Sequence, residues 1–228
     1  MSVTARLKAP RGTLGGAAGI GVAVGVYGVS FGVLAVAAGL SPAQAWVMSM
    51  LVFTGASQFA FVGVIAAGGS AMAAMGPAVM LATRNAAYGL SLASILPARL
   101  RDRALMAQLV IDESTAMARA EGDPATARRA FLATGVSVWI CWNLGTFVGA
   151  RVGGGLGDPR ALGLDAMFPA AFLALLAPQL RRSGAPVAAA VGAIVAVTLL
   201  PFVPAGIPVV AALVGIVPGV LVPRGIRG

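Results

Sequence analysis

Charged residues inside otherwise apolar sequence carry most of the chemistry that this chain can offer. Arg84 lies near the middle of the apolar run 71–97, roughly 20 Å from either end if the run is one helix. An arginine at the centre of a membrane helix costs about 2.5–3.5 kcal/mol, so such residues usually mark a pathway or a paired site. Arg84 is therefore predicted to mark a pathway or a paired site. Alternatively, "ATRN" divides the run into two half-helices, which are themselves common binding elements in transporters.

Two adjacent acids, Asp112 and Glu113, lie in the short apolar run 104–118. Successive residues on a helix point about 100° apart, so both acids cannot face one small ligand. One can face Arg84 and the other solvent, or both can lie on the wet side of an amphipathic surface helix. Because the chain contains no His, a partly buried carboxylate is the group expected to couple transport to protons.

A third acid, Asp165, belongs to the same set of proton-coupling candidates. It lies near the start of the apolar run 161–180. A carboxylate at that position can also be a helix-start charge that the helix dipole stabilises. Its role therefore has two readings, coupling or helix stabilisation.

Polar residues also interrupt the apolar stretch "VFTGASQFAF" at 52–61. Ser and Thr can bond carbonyls of the preceding turn, and one Gln can bond a neighbouring helix, so plain packing is one explanation. The other is a break in the helix, since non-helical backbone at membrane depth occurs only inside protein or beside a water-filled cavity. We predict a break from Gly55 to Gln58 that lines a substrate path.

The elements that must position these residues are membrane helices. The chain has 228 residues, of which 59% are hydrophobic and 10% charged, whereas a soluble domain carries about 25% charged residues. We predict an all-α, polytopic integral membrane helix bundle with six to eight apolar segments, some of them broken or re-entrant. The apolar runs lie at 14–40, 43–67, 71–97, 104–118, 130–150, 161–180, 186–203 and 205–222.

Basic residues cluster at the ends of these runs, as expected for cytoplasmic loops. This places the N-terminus in the cytoplasm of a multi-pass protein in the cell (inner) membrane. If all runs cross, Arg99, Arg101 and Arg103 fall outside, so the charge rule favours a re-entrant 43–67 and a surface-lying 104–118. An arrangement with only one of these two exceptions stays open.

The predicted domain organisation is simple. A basic cytoplasmic tail covers 1–13, a single transmembrane helical domain covers 14–222, and a second basic tail covers 223–228. Within the helices, glycines four residues apart predict close helix packing, or else flexibility for alternating access or docking of a partner's helices. These pairs are Gly15/Gly19, Gly21/Gly25, Gly28/Gly32 and Gly145/Gly149.

Several function classes are disfavoured by composition. The net charge of +9 comes from basic residues that flank apolar runs, without the interleaved aromatics of a nucleic-acid patch. With no His and only Cys141, the chain lacks the residues of a common zinc site, of a Ser-His-Asp triad and of an internal disulfide. We therefore expect no enzyme activity, no metal, no cofactor and no nucleic-acid partner.

The chain resembles the AzlC family, the large subunit of branched-chain amino acid exporters. The resemblance runs from about Gly19 to the last apolar run and is carried by three ordered pieces. They are "GVSFGVLAVAAGLSPAQAWVMSMLVFTGASQFAFVGVIAAG" at 28–68, "IDES" at 111–114 and "GLDAMFPAAFLALLAP" at 163–178.

One stretch departs from the family pattern Asn-x-Arg-His-x-x-Tyr. Arg84 and Tyr88 match it, whereas Ala82 and Asn85 stand where the family has Asn and His. If that His joins a proton relay in relatives, this protein works without it.

The resemblance implies export of valine, leucine and isoleucine, driven by the proton motive force, together with a small AzlD-like membrane subunit. Arg84 or half-helix N-termini are then expected to take the substrate carboxylate, and Gln58 or an acid the ammonium. The alternative is a non-transporting assembly or regulatory subunit. The expected substrate-binding residues are Ser57, Gln58, Arg84, Asn85 and Tyr88.

Overall fold

The structure, a computed structural model, describes residues 13–97, 99–155, 170, 173, 176–177 and 179–222. Every regular element in this part of the chain is a helix, which confirms the predicted all-α class. The number of membrane crossings stays a prediction. Of the predicted tails, only Thr13, the first residue of a helix, is among the residues described.

The chain divides into two compact units. Unit A contains the described residues of Met1–Val36, Leu40–Gly55 and Ala82–Gly155, and unit B those of Ala37–Gly39, Ala56–Leu81 and Leu156–Gly228. The helices of unit A are α1 (Thr13–Ala37), α2 (Pro42–Leu51), the second part of α4 (Ala71–Ser91), α5 (Leu100–Ala107), α6 (Asp112–Arg119) and α7 (Pro124–Gly153). Those of unit B are α3 (Ala56–Ala66), the first part of α4, α8 (Ala185–Leu199), α9 (Ile207–Ala211) and α10 (Ile216–Leu221).

Two helices in unit A are long and apolar enough to cross a membrane. Leu14–Ala37 in α1 has 24 such residues, and α7 has 30, which corresponds to about 36 and 45 Å of helix. Three further apolar helical segments are shorter than this, at Ala56–Ala66, Ala185–Leu199 and Ile207–Leu221. Length and composition alone thus single out α1 and α7.

The two long helices run parallel and touch through glycine. Gly21 lies against Ser137, Gly25 against Cys141, and Gly32 against Thr146. Residue numbers increase in the same direction along both helices, so the helices are parallel. In return, Gly145 and Gly149 of α7 lie against the backbone of Gly25 and Val29. Missing side chains let the backbones approach closely, as the four-residue glycine spacing predicted.

Gly15 and Gly19 have the same spacing but a different environment. No described atom lies within 4 Å of where a Cβ would stand at either residue. The prediction of close packing is therefore confirmed for three of the glycine pairs within unit A, whereas no described residue packs against this one.

Helix starts follow ordinary capping chemistry. Ser41 caps α2: its Oγ accepts from Gln44 N–H at 3.2 Å, while Ser41 N–H donates to Gln44 Oε1 at 2.8 Å. Asp123 caps α7, where its Oδ2 accepts from the amides of Ala125 and Thr126. Both helices carry Pro directly after the cap, where a missing N–H costs nothing.

The run 43–67 contains the break that the polar stretch predicted. Helix α2 ends at Leu51 and α3 begins at Ala56, with Gly55 in the left-handed region at φ +56°. Only glycine adopts this backbone readily. The unwound residues are 52–55, so the break lies earlier than the predicted Gly55–Gln58, and Ser57 and Gln58 belong to the first turn of α3.

The run 104–118 is not one helix. It falls into α5 and α6, each of eight residues and therefore about 12 Å long, well short of a bilayer core. In unit A, α2 and α6 both pack against α7. A buried hydrogen bond from Ser49 Oγ to Thr146 Oγ1 at 3.2 Å joins α2 to α7.

Unit B is built on close contacts of a similar kind. A Cβ at Gly192 of α8 would lie 2.9 Å from the carbonyl oxygen of Ala212. Pro77, inside α4, cannot donate to the carbonyl of Ala73. Gly206, at φ +96°, lies against that carbonyl, with 2.6 Å between the Cβ position and the oxygen. A side chain at 206 would collide with it.

Candidate functional site

Arg84 and Asp112 form an ion pair in unit A. Arg84 Nη1 lies 3.0 Å from Asp112 Oδ2, and the two side chains are 34% and 41% exposed. Of the two adjacent acids, Asp112 is the one that faces the arginine, as the helix geometry allowed. An ion pair this exposed contributes about 0–1 kcal/mol net. Its geometry therefore says more about the site than about stability.

The helix that carries Arg84 differs from both sequence readings. Helix α4 is continuous from Ala71 to Ser91, so "ATRN" does not separate two half-helices. Because α4 ends at Ser91, Arg84 lies about two turns, roughly 10 Å, before its end. The prediction of a residue about 20 Å from both ends was wrong at the C-terminal side, and the shorter distance explains its partial exposure.

The unwound segment 52–55 and the end of α2 before it are each held by a side chain from a distant part of unit A. Arg84 Nη2 donates to the carbonyl of Thr54 at 3.4 Å. Gln108, in the α5–α6 connection, donates through Nε2 to the carbonyls of Met50 at 2.9 Å and Leu51 at 3.3 Å. These carbonyls end α2 and have no helical partner. Arg84 thus joins Asp112 and the broken segment at one point.

Several polar atoms around this pair are buried without a hydrogen-bond partner among the described residues. They are Thr54 Oγ1, Arg84 Nε, Asn85 Oδ1, Asp112 Oδ1 and Thr115 Oγ1. Leaving such an atom unsatisfied costs about 1–3 kcal/mol, and clusters of them in one place are uncommon in folded proteins. The same group offers hydrogen-bond donors, acceptors and one charge of each sign.

Helix α6 presents Asp112 from a fixed start. Ser114 Oγ accepts from Ile111 N–H at 3.2 Å and donates to the carbonyl of Leu109 at 2.6 Å, so the turn before α6 is tied to its first residues. Thr115 follows Asp112 by one turn and lies on the same face. It is 5% exposed.

Glu113 lies beside the pair but in a different environment. Burial raises the pKa of its carboxyl, a backbone hydrogen bond opposes this, Asp112 adds to the rise and Arg84 lowers it. The net direction is upward, as partial burial predicted for a coupling candidate. Its raised pKa means that Glu113 retains a proton more readily than an ordinary glutamate does.

The remaining predicted site residues are distributed differently. Asn85 follows Arg84 on α4 and contributes an unpartnered Oδ1. Tyr88 packs against the apolar cluster of Leu92, Met106, Val110, Ala118 and Phe131. Ser57 and Gln58 are fully buried in α3 of unit B. Asp165 lies outside the described residues.

Three residues of the candidate site were not predicted from the sequence. Thr54 was noticed only as part of a polar stretch, and Thr115 and Gln108 were not singled out. A signal was present for Thr115, because it follows Asp112 at the three-residue spacing of one helix face. Gln108 had none, since its contacts with residues 50 and 51 join parts of the chain far apart in sequence.

The chain is similar to known membrane proteins over most of its length. Residues 19–156 match the family described as AzlC protein. The chain is 35% identical over 202 residues to the inner membrane protein YgaZ of Escherichia coli (strain K12), covering 84% of this chain and 80% of the relative. No solved structure matches the chain significantly. The matched ranges include the helices that carry Arg84 and Asp112.

Proposed function

Because the chain belongs to the AzlC family of membrane proteins, we propose that it is a secondary transporter that exports branched-chain or similar small hydrophobic amino acids. The resemblance seen in the sequence is confirmed for the family, and the activity is the proposal. Export is proton-coupled, and the chain works with a small AzlD-like membrane subunit. Both features follow from the family resemblance and are proposed with it.

The ion pair of Arg84 and Asp112 is the observation that carries this proposal. Ionisable residues in membrane proteins are costly and usually mark substrate or ion paths. Here the pair adjoins an unwound segment and several unpartnered polar atoms, the arrangement with which transporters bind small polar groups. Glu113, whose pKa is raised by burial, is the leading candidate for the titrating group, ahead of Asp112 and Asp165.

The parallel contact of α1 and α7 supports a particular membrane topology. If both helices cross, they cross in the same direction, so the chain between them must return once in net terms. Since α5 and α6 are too short to cross, we propose that α4 makes the return and that 43–67 does not cross fully. Arg99, Arg101 and Arg103 then join the basic N-terminus in the cytoplasm.

This topology matches the arrangement that the charge rule favours. It disagrees with the arrangement that has a single exception, because α7 would then run antiparallel to α1. A cysteine-accessibility experiment can test it, with single cysteines placed at Arg101 and at the α7 C-terminus in a Cys141→Ser background. The two labels should react from opposite sides of the membrane, and reaction from the same side would contradict the topology.

The transport activity is tested by removing the cation of the pair. Arg84→Ala is expected to abolish valine efflux from cells while the protein still reaches the membrane, because the carboxylate loses its charged donor. Arg103→Ala, which removes an exposed arginine from α5, is the matched control and should retain efflux. Normal efflux by Arg84→Ala would remove Arg84 from the site. Collapse of the proton gradient should stop export by the unaltered protein.

A second candidate function is a non-transporting assembly or regulatory subunit. It is favoured by the uncovered glycines Gly15 and Gly19, against which no described residue packs and which suit close approach of another helix. Reconstitution with and without the small subunit, followed by counterflow of labelled valine, separates the two functions. Counterflow in either preparation supports transport, and its absence from both supports the second function.

A further inference from the structure

We propose that the ion pair of Arg84 and Asp112 opens to hold the charged head of an α-amino acid, so that the site selects zwitterions over simple acids and amines. The inference rests on the proposed function, since it names the part of the cargo that is recognised. It adds Thr54 and Thr115 to the binding site and assigns their atoms, with those of the ion pair, to the two ends of the ligand.

The unpartnered atoms divide into two sets that match the two ends of a zwitterion. Arg84 Nε carries a hydrogen that is not donated to any described residue, and the Thr54 hydroxyl can donate as well. Both suit a carboxylate. Asp112 Oδ1 is an acceptor and suits an ammonium, whereas Asn85 points about 100° away from Arg84 on α4 and is not assigned to the ligand. The Thr115 hydroxyl can accept from the ammonium beside Asp112.

The contacts of Arg84 bring three elements of unit A together. Arg84 reaches Asp112 at 3.0 Å and the Thr54 carbonyl at 3.4 Å, so α4, α6 and the unwound segment meet at its guanidinium. Asn85 is the next residue of α4. Thr115, 95% buried, lies one turn beyond Asp112 on α6. A ligand inserted between the charges of Arg84 and Asp112 would lie beside all three elements.

The closed pair is incomplete, and a zwitterion completes it. Arg84 and Asp112 use one nitrogen and one oxygen on each other, while Arg84 Nε and Asp112 Oδ1 have no hydrogen-bond partner among the described residues. Both side chains are also about one third exposed or more, so the pair is weak and accessible from water. A ligand with both charges supplies a carboxylate to Arg84 and an ammonium to Asp112, and no charge is left without a counter-charge.

Ligands with a single charge lack this match. A simple acid that separates the pair leaves Asp112 without its arginine, and an amine leaves Arg84 without its carboxylate. Such a ligand gains a charge-assisted contact at one end of the pair only, whereas a zwitterion gains one at each end. Selectivity therefore follows from the ion pair itself, without any contact to the ligand's apolar side chain.

Three ligands with the same isopropyl group test this selectivity: L-valine, 3-methylbutanoate and 2-methylpropylamine. Binding to the full-length purified protein in detergent is measured by titration calorimetry. Valine is expected to bind about 10-fold more tightly than either analogue, or better, since each analogue lacks one charged group and a lost charged contact is worth a factor of about ten or more. An analogue that binds as tightly as valine, or valine that does not bind, would overturn the proposal.

Two variants separate recognition from mere structural support. Asp112→Asn removes the negative charge and keeps the shape of the side chain. Binding of valine should therefore weaken about 30-fold, while binding of 3-methylbutanoate should not weaken. Thr115→Val should weaken the binding of valine about fivefold and leave the binding of 3-methylbutanoate unchanged. Asp102→Asn, an exposed acid on α5, is the matched control. Equal weakening of both ligands in Asp112→Asn would assign Asp112 a structural role and overturn the proposal.

The outcomes also distinguish this inference from the proposed function. Selective valine binding without counterflow would contradict transport and support the zwitterion site. Valine counterflow that 3-methylbutanoate and 2-methylpropylamine inhibit as strongly as unlabelled valine would support transport and overturn the zwitterion site.

Discussion

Two contacts between helices in unit A are built by opposite means. At the α1–α7 contact, glycines such as Gly149 leave the backbones touching, and a Cβ there would overlap the Val29 carbonyl. At the α4–α6 contact, Arg84 and Asp112 meet through one ion pair, and neighbouring polar atoms stay without described partners. The first contact has no spare volume, and the second has spare hydrogen-bonding capacity.

The difference teaches which contact can move. Close-packed interiors resist deformation, because any displacement produces overlap or a void. An exposed ion pair can open at little cost, and a ligand that satisfies its unpartnered atoms repays the opening. We therefore regard α1 and α7 as the fixed frame of unit A and the surroundings of Arg84 as its adjustable part.

The largest expected effect is on the glycine contact. Gly149→Leu should prevent correct folding, with a loss of more than about 3 kcal/mol, because the side chain collides with backbone that cannot yield. Gly15→Leu is the matched control, since no described atom lies within 4 Å of its Cβ position. Thermal unfolding of the purified variants in detergent measures both. Equal melting temperatures for the two variants would contradict the α1–α7 contact.

An intermediate effect is expected from Glu113 on α6, a helix too short to cross a membrane. Burial raises the pKa of its carboxyl above the ordinary 4.5, so the folded protein favours the neutral form. This contribution to stability is complete below pH 4.5 and is lost as the pH rises through the folded-state pKa.

Glu113→Gln is neutral at every pH and sharpens the point. Relative to the unaltered protein, its melting temperature should rise as the pH increases from about 4 to 8. Asp102→Asn, which removes an exposed carboxylate from α5, is the matched control. A difference in melting temperature that stays constant over this range would show that Glu113 is not desolvated.

The smallest effect is expected at Gln108. Gln108→Leu removes the donor to the Met50 and Leu51 carbonyls, which is worth about 1 kcal/mol because water can replace it at an exposed side chain. A fall of a few degrees in melting temperature is expected, and Gln179→Leu, another exposed glutamine, is the control. An equal fall in both variants would show that Gln108 does not specifically stabilise the end of α2.

Much of the fold was predictable because membrane helices can be recognised from their apolar composition. The apolar runs predicted the helices, and the polar stretch at 52–61 predicted a break, which falls at 52–55. Its position was off because the local sequence does not reveal that Arg84 and Gln108 satisfy the carbonyls at this point. The prediction of one helix at 104–118 was wrong for a similar reason. The apolar residues of this run belong to two short helices, α5 and α6, and the local sequence does not show where one ends and the next begins.

The sequence by itself determined the all-helical class, the family and the residues that lipid cannot explain, because burial in a membrane leaves so few polar side chains that each one is conspicuous. Only the tertiary structure decided which of them meet. Gly15/Gly19 and Gly21/Gly25 have the same local pattern, yet only the second pair touches α7. Likewise Asp112, and not Glu113, forms the ion pair with Arg84, because the direction in which α6 faces α4 depends on contacts far apart along the chain.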